Sequence, residues 1–180
     1  LNGHIVFSYN SQAELKDFVN KVQWDAEFKA DSKVNFKDIR YFVKNFDKNS
    51  TVEVLGKVSG TLNDLRLNEF QLKGDGAFIA ANDLYLTDMT NGDKIVISTK
   101  NVKLKTSYSE LNQLLPTFIS SRIPDFMSRF GTMDYLGDFN LNPKEINING
   151  NAITALGNAD MKVALTDYRN AMRYKGTVIA

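Results

Sequence analysis

Cysteine is absent from this chain, which excludes a disulfide framework and any thiolate-bound metal. With one histidine, His4, a zinc site has almost no ligands to draw on. Only three prolines are present, and no Gly/Ser-rich stretch divides the 180 residues into separately tethered domains. Neither sign of charge dominates: 22 basic residues stand against 21 acidic ones, finely mixed, for a net charge of +1. Without a basic stripe there is no electrostatic footprint for nucleic acid, and no nucleic-acid partner is expected. No run approaches the roughly 20 apolar residues that cross a bilayer, and no signal-peptide pattern opens the chain.

Catalytic constellations are equally scarce. His4 lies in a strand pattern with no neighbouring nucleophile or orienting acid. Asp75, Asp83, Asp88 and Asp93 fall at turns without the dense ligand spacing of a calcium loop. Lys73-Gly74-Asp75-Gly76 lacks the length and the following Lys-Ser/Thr of a phosphate-binding loop. No catalytic residue, metal or cofactor is expected, and a non-enzymatic role follows.

What the chain has is alternation. From 22 to 31, Val22, Trp24, Ala26, Phe28 and Ala30 take one side, and Gln23, Asp25, Glu27, Lys29 and Asp31 the other. Successive strand side chains point to opposite faces, so this is a ribbon with one oily and one wet face. Similar patterns recur at 4–10, 34–42, 51–62, 63–74, 83–88, 93–99, 101–107, 132–141, 144–151, 159–167 and 172–179. Turn chemistry separates them at Lys73-Gly74-Asp75-Gly76, Asn91-Gly92-Asp93, Asn142-Pro143 and Asn149-Gly150-Asn151. Two stretches follow a helical period instead. Ser11 with Glu14 three residues on reads as a capping box ahead of Leu15, Phe18, Val19 and Val22. The second, about 107–130, repeats Leu111, Leu114, Leu115, Phe118, Ile119, Ile123, Phe126, Met127 and Phe130 at three- and four-residue steps, broken by Pro116 and Pro124. Helices are expected only in these two places.

A faint echo at an offset of 77 relates Gly60-Thr61-Leu62-Asn63 to Gly137-Asp138-Phe139-Asn140, and Asn82-Asp83-Leu84 to Ala159-Asp160-Met161. It suggests one β-rich segment over 1–180 in which a unit is used twice, at about 51–106 and 131–180, with a helical insert at 107–130. The chain opens at Leu1 without methionine and ends RYKGTVIA, half a strand by pattern, so a segment of a longer protein is expected. One-sided strands leave two architectures open. Two sheets could cover each other as a closed sandwich, serving as an adhesin or carbohydrate-binding module. Alternatively, one curled sheet could form a trough filled by acyl chains.

Several stretches in order resemble the repeating body of the TamB or AsmA-like envelope protein family, in its Bacteroidota form. They are GKVSGTLNDL (56–65), SYSELNQLLP (107–116), IPDFMSRFGTMDYLGDF (123–139), NAITALGNA (151–159) and YKG (174–176). The opening YNSQAELKDF (9–18) and VQWDAEF (22–28) fit as well, so the likeness covers nearly the whole chain. No single motif is diagnostic, since each is a strand pattern with glycines; the ordered series carries the resemblance.

The resemblance implies a mostly β, largely antiparallel sheet curled into a half-pipe, or β-taco, around a greasy groove. It implies a periplasmic protein tethered to the inner membrane through a segment absent here. Its partners would be phospholipid acyl chains and an outer-membrane BamA-type barrel such as TamA. The roles implied are phospholipid transport to the outer membrane and support of outer-membrane protein assembly, with no catalytic residues to carry over. The expected groove lining is Val22, Trp24, Ala26 and Phe28; Val52, Val54 and Val58; Leu84 and Leu86; Val102 and Leu104; Ile146 and Ile148; and Met161, Val163 and Leu165. A lid over it would present Leu111, Leu115, Phe118, Ile119, Ile123, Phe126 and Met127.

Overall fold

A computed structural model describes residues 2–41, 47–121, 123, 125–167, 171 and 173–179, and at 118 and 119 the backbone alone. The alternating segments form one open, antiparallel sheet of eleven strands. They are β1 (Gly3–Ser8), β2 (Gln23–Phe28), β3 (Lys33–Asn35), β4 (Thr51–Thr61), β5 (Asp64–Gly74), β6 (Ala77–Thr87), β7 (Val96–Ser107), β8 (Thr132–Leu141), β9 (Glu145–Thr154), β10 (Gly157–Thr166) and β11 (Arg173–Ile179). The strand order is β1-β2-β4-β5-β6-β7-β8-β9-β10-β11, with β2 and β3 both pairing to β4 along successive parts of it. Among the described residues there is no second sheet and the first does not close, so the two-sheet sandwich is not the fold they form.

Apolar side chains gather on one face in three groups that share members. Phe36, Val52, Ala77 and Leu114 form one, and Leu62, Leu65, Leu67 and Phe70 a second; Val54 and Leu72 pack against both. Leu84 joins the second to a third, made of Ala81, Val102, Tyr135 and Ala152. The other face carries directly opposed polar pairs. Glu53 meets Lys73 at 4.0 Å, Lys105 meets Asp134 at 3.6 Å, His4 meets Glu27 at 3.8 Å, and the Arg66 guanidinium lies 5.7 Å from the Tyr85 ring centre. Exposed pairs of this kind contribute little stability each, but they keep that face wet and fix the register.

A line of irregular positions crosses the strands at mid-length. On β5 the inward series Leu65, Leu67 resumes three residues on at Phe70, because Glu69, at φ 52°, is an extra residue opposite β4. β7 repeats the device: Asn101, at φ 51°, is the extra residue between Thr99 and Val102. Side chains repair the interrupted ladder, Thr99 Oγ1 donating to the Asp83 carbonyl at 2.8 Å and the Asn101 N–H to Asp138 Oδ1 at 3.0 Å. Such bulges bend a strand and increase its twist. Next to the first bulge Gly56 adopts φ 127°, and a Cβ there would lie 2.9 Å from the Asn68 and Glu69 carbonyl oxygens and from Phe70 Cα. On the far side, Gly137 of β8 faces Gly150 of β9 directly, and a Cβ at Gly137 would collide with the Asn149 carbonyl oxygen and Gly150 Cα and lie 2.6 Å from the Tyr135 hydroxyl.

Four expectations are corrected. The 34–42 strand stops at Asn35, whose side chain accepts the Lys37 N–H at 2.9 Å and starts a single helical turn, Phe36–Ile39, in a third helical place, turning Phe36 into the core; Phe42 lies outside the described residues. Asn149-Gly150-Asn151 is not a turn but mid-strand in β9, because the glycine pair needs close backbone approach there, and the reversal comes at Ala155–Leu156. The 93–99 and 101–107 segments are one strand with a bulge. Ser11 makes no side-chain cap: Glu14 instead takes the Asn10 N–H at 2.7 Å, ahead of a 3-10 turn at Gln12–Asp17 and a single helical turn, Phe18–Lys21. The capping box sits at Ser107 and Glu110, at the head of helix Tyr108–Leu114.

Substituting Gly56→Ala should therefore remove about 1–3 kcal/mol, by backbone strain and overpacking at the bulge. At this chain length that lowers the melting temperature by several degrees, read by circular dichroism. An unchanged melting curve would mean that the bulge does not hold Gly56 in place.

Candidate functional site

The apolar face is the feature with capacity for function, and helical pieces border it at both ends of the strands. In chain order the helices are α1 (Phe18–Lys21), α2 (Phe36–Ile39, the single turn above), α3 (Tyr108–Leu114) and α4 (Thr117–Ser120), with 3-10 turns at Gln12–Asp17 and Asp125–Phe130. At one end Asn63, in the β4–β5 turn, ties three connections together. Its N–H donates to the Val19 carbonyl at 3.3 Å and its Nδ2 to Asn20 Oδ1 at 2.9 Å, while its Oδ1 accepts Thr90 Oγ1 at 2.9 Å. This lays Phe18 and Val19 over Leu62 and Leu65. Phe7, Phe18 and Trp24 meet edge to face, with ring centres 4.7–6.0 Å apart, which suits their quadrupoles.

At the other end the segments following β2 and β7 deliver Phe36 and Leu114 into one cluster with Val52 and Ala77. The Thr117 N–H donates to Asp47 Oδ1 at 2.9 Å, so one carboxylate joins the two segments. Hydrogen bonding from Thr117 holds the Asp47 carboxyl below its usual range. Tyr108 donates to Asp125 at 2.6 Å, tying α3 to the second 3-10 turn, and that bond raises the phenol. Burial raises the Tyr135 phenol in the centre of the face.

The residues expected to share one apolar side are placed as follows. Val22, Ala26, Val52 and Val102 are buried. Trp24, Phe28, Val54, Val58, Leu84, Leu86, Leu104, Ile146, Ile148, Met161, Val163 and Leu165 are half-buried. Cross-strand register puts Ile146 opposite Leu165 and Ile148 opposite Val163, and an opposed pair shares a face. Cover thins toward the last strand: on β11, Tyr174 and Val178 lie on this same side yet are 62% and 59% exposed. On β1, at the opposite margin, Phe7 is 43% exposed.

Of the lid residues, Leu111, Leu115, Ile123 and Met127 are half-buried and Phe126 is 50% exposed; the side chains of Phe118 and Ile119 lie outside the described residues. Leu114, not in the expected lid set, is the helix residue that reaches the sheet. Phe36, Leu65, Leu67, Phe70, Tyr135 and Phe139 also pack into this face and were missed. A signal existed for some of them, the three-residue jump from Leu67 to Phe70 within an otherwise two-residue series. A cleft of about 590 Å3 lies elsewhere, at the strand ends between Lys33, Glu53, Lys73 and Asp75. Its mixed charges cancel, and it shares only Val52 with the expected lining.

This geometry defines a class: a one-layer antiparallel meander, apolar on one side, in which no described residue pairs with the outer edge of β1 or of β11. Comparison of the chain with family models, curated proteins and solved structures finds no match.

Because Asp47 is held below its unfolded value, the tie it makes is complete above the ordinary aspartate pKa and is lost as pH falls through the depressed one. The Thr117 amide resonance should titrate with a midpoint below about 3.9, and Asp47→Asn should abolish that titration. A midpoint at the ordinary value would remove the proposed link between the two segments.

Proposed function

We propose that the chain is a non-enzymatic, lipid-handling segment of a TamB- or AsmA-like envelope protein, and that its apolar face holds phospholipid acyl chains. One observation carries this reading: a single sheet presents an apolar side from β2 to β10, and no described residue pairs with the outer edge of β1 or β11. In this reading the mid-strand row of bulges and glycines is the spine of a half-pipe, about which the two halves of each strand incline toward one another. The helical pieces then stand along its two rims.

The energetics suit such a role. Each methylene leaving water gains about 0.8 kcal/mol, so a long acyl chain gains on the order of 10 kcal/mol. Strands stack about 4.8 Å apart, so ten of them span roughly 45 Å, more than one acyl chain. Val, Leu, Ile and Phe on successive strands offer near-equivalent contacts, which lets a chain slide with a low barrier while its headgroup stays in water. A position in the periplasm and contact with a BamA-type outer-membrane barrel such as TamA are what the sequence resemblance adds to this reading. Support of outer-membrane protein assembly belongs to the same proposal.

The test is lipid extraction. Purified protein should carry phospholipid detectable by mass spectrometry, and Val163→Asp should lose most of it. Val163 is half-buried toward the open side, so the aspartate can reach water and the fold should survive, whereas a passing acyl chain meets a polar step of several kcal/mol. Protein free of lipid after extraction from its native envelope, or a folded variant that retains full lipid, would refute the proposal.

A further inference from the structure

Three asparagines in this chain precede a glycine: Asn2-Gly3, Asn91-Gly92 and Asn149-Gly150. In such a pair the glycine nitrogen can attack the side-chain amide carbon, because no Cβ on the glycine blocks the approach. All three asparagines are exposed, so their backbone surroundings decide which of them reacts.

Two of the three are tied. Gly150 lies mid-strand in β9, opposite Gly137 on one side and Met161 on the other, so using its nitrogen means opening the ladder. Asn2 commits its side-chain amide to the Ala30 carbonyl at 3.0 Å, and its own carbonyl accepts the Lys29 N–H at 2.8 Å. Asn91 stands instead in the connection 88–95 between β6 and β7. Its Oδ1 accepts the Asp93 N–H at 3.1 Å, which folds the side chain back along the residues that follow. A donor on that oxygen also stabilises the charge that develops there when the carbon is attacked.

We infer that Asn91 is a site of spontaneous deamidation, and that its isoaspartate product loosens the cover at this end of the sheet. The Gly92 nitrogen gives its proton to hydroxide and bonds to Asn91 Cγ. The Cγ–Nδ2 bond breaks and ammonia leaves, closing a succinimide ring. Water then opens the ring at either carbonyl, giving aspartate or isoaspartate. No oxidant or cofactor enters the balance.

In isoaspartate the main chain runs through Cβ and Cγ, and the former Asn91 carbonyl becomes a carboxylate beside it. That carbonyl accepts the Lys94 N–H at 2.9 Å and the Ile95 N–H at 3.1 Å, and Ile95 is buried. The preceding residue, Thr90, holds Asn63 Oδ1 through its N–H at 3.3 Å and its Oγ1 at 2.9 Å. Asn63 is the residue that lays Phe18 and Val19 over Leu62 and Leu65. A longer backbone at 91 therefore disturbs the turn first and the apolar cover next. Conversion also adds a negative charge to a turn that already carries Asp88 and Asp93.

The test incubates the purified full chain in mildly alkaline buffer and follows each asparagine by peptide mass spectrometry. In the folded chain Asn91 should convert about tenfold or more faster than Asn149, whose ladder must open first. In denaturant the two should convert at comparable rates, since both precede glycine. After conversion the amides of Lys94, Ile95 and Asn63 should exchange faster, while those of β9 keep their rates. Asn91→Asp carries the charge without the longer backbone and should keep all of these amides slow. Equal rates in the folded chain, a difference that persists in denaturant, unchanged exchange after conversion, or equally fast exchange in Asn91→Asp would each overturn the inference.

Discussion

Among the described residues an eleven-stranded sheet with one apolar side has no second sheet to cover it, and the chain's own connections supply the cover at its strand ends. Everything distinctive in this fold follows from that need. Short helical pieces bring Phe18, Phe36 and Leu114 to the strand ends, where a turn or two of helix can reach. Mid-strand, where no helix arrives, the extra residues at Glu69 and Asn101 and the facing glycines at 137 and 150 change the course of the strands instead. Phe70, one residue beyond its bulge, is only 8% exposed although the sheet has a single layer. It clusters with Leu62, Leu65 and Leu67, and Phe18, Val19 and Trp24 pack against the same group.

The polar side shows the complementary economy. Its charges are paired directly across strands, so each pairing choice is made twice, once by an apolar contact inside and once by a charge outside. A one-residue slip would bury Glu53, Lys73 and Lys105 together and expose Val52 and Val102. Register is thus specified more strongly than any single weak ion pair suggests.

Much of this was legible in the sequence because a strand's period of two is local and survives without knowledge of its partners. Trp24, Val52, Leu84 and Val102 could be assigned to one side by counting alone. The parts that escaped depend on two strands at once. Asn149-Gly150 carries a strong local turn signal, yet a Cβ at Gly150 would collide with the Leu136 carbonyl and Gly137 Cα across the ladder, and tertiary approach overrides local propensity. Phe36 continues an extended pattern and is helical because Asn35 turns back on the Lys37 N–H, a choice that also inserts its ring against Val52 and Ala77. The bulges had left a trace in the three-residue steps at Leu67–Phe70, Ala81–Leu84 and Thr99–Val102. Since all three steps fall on one line across the sheet, reading them together would have located that irregular row. The extent of the open apolar side had no such trace, because exposure at β11 is set by what neighbours it.

Every strand in this meander adds next to one made shortly before it, β3 alone lying off the path. In kinetic terms the chain resembles a nearly one-dimensional array, with tight turns between most strands and the two longer connections, 29–50 and 108–131, still joining neighbours on the sheet path. Such an array has no single nucleus on which the whole depends. Growth can start in the β4–β7 block, where the apolar clusters overlap most, and proceed outward one hairpin at a time. Loss runs the same course in reverse: β1 and β11 open first, and the centre persists while the margins exchange freely with whatever strand is at hand.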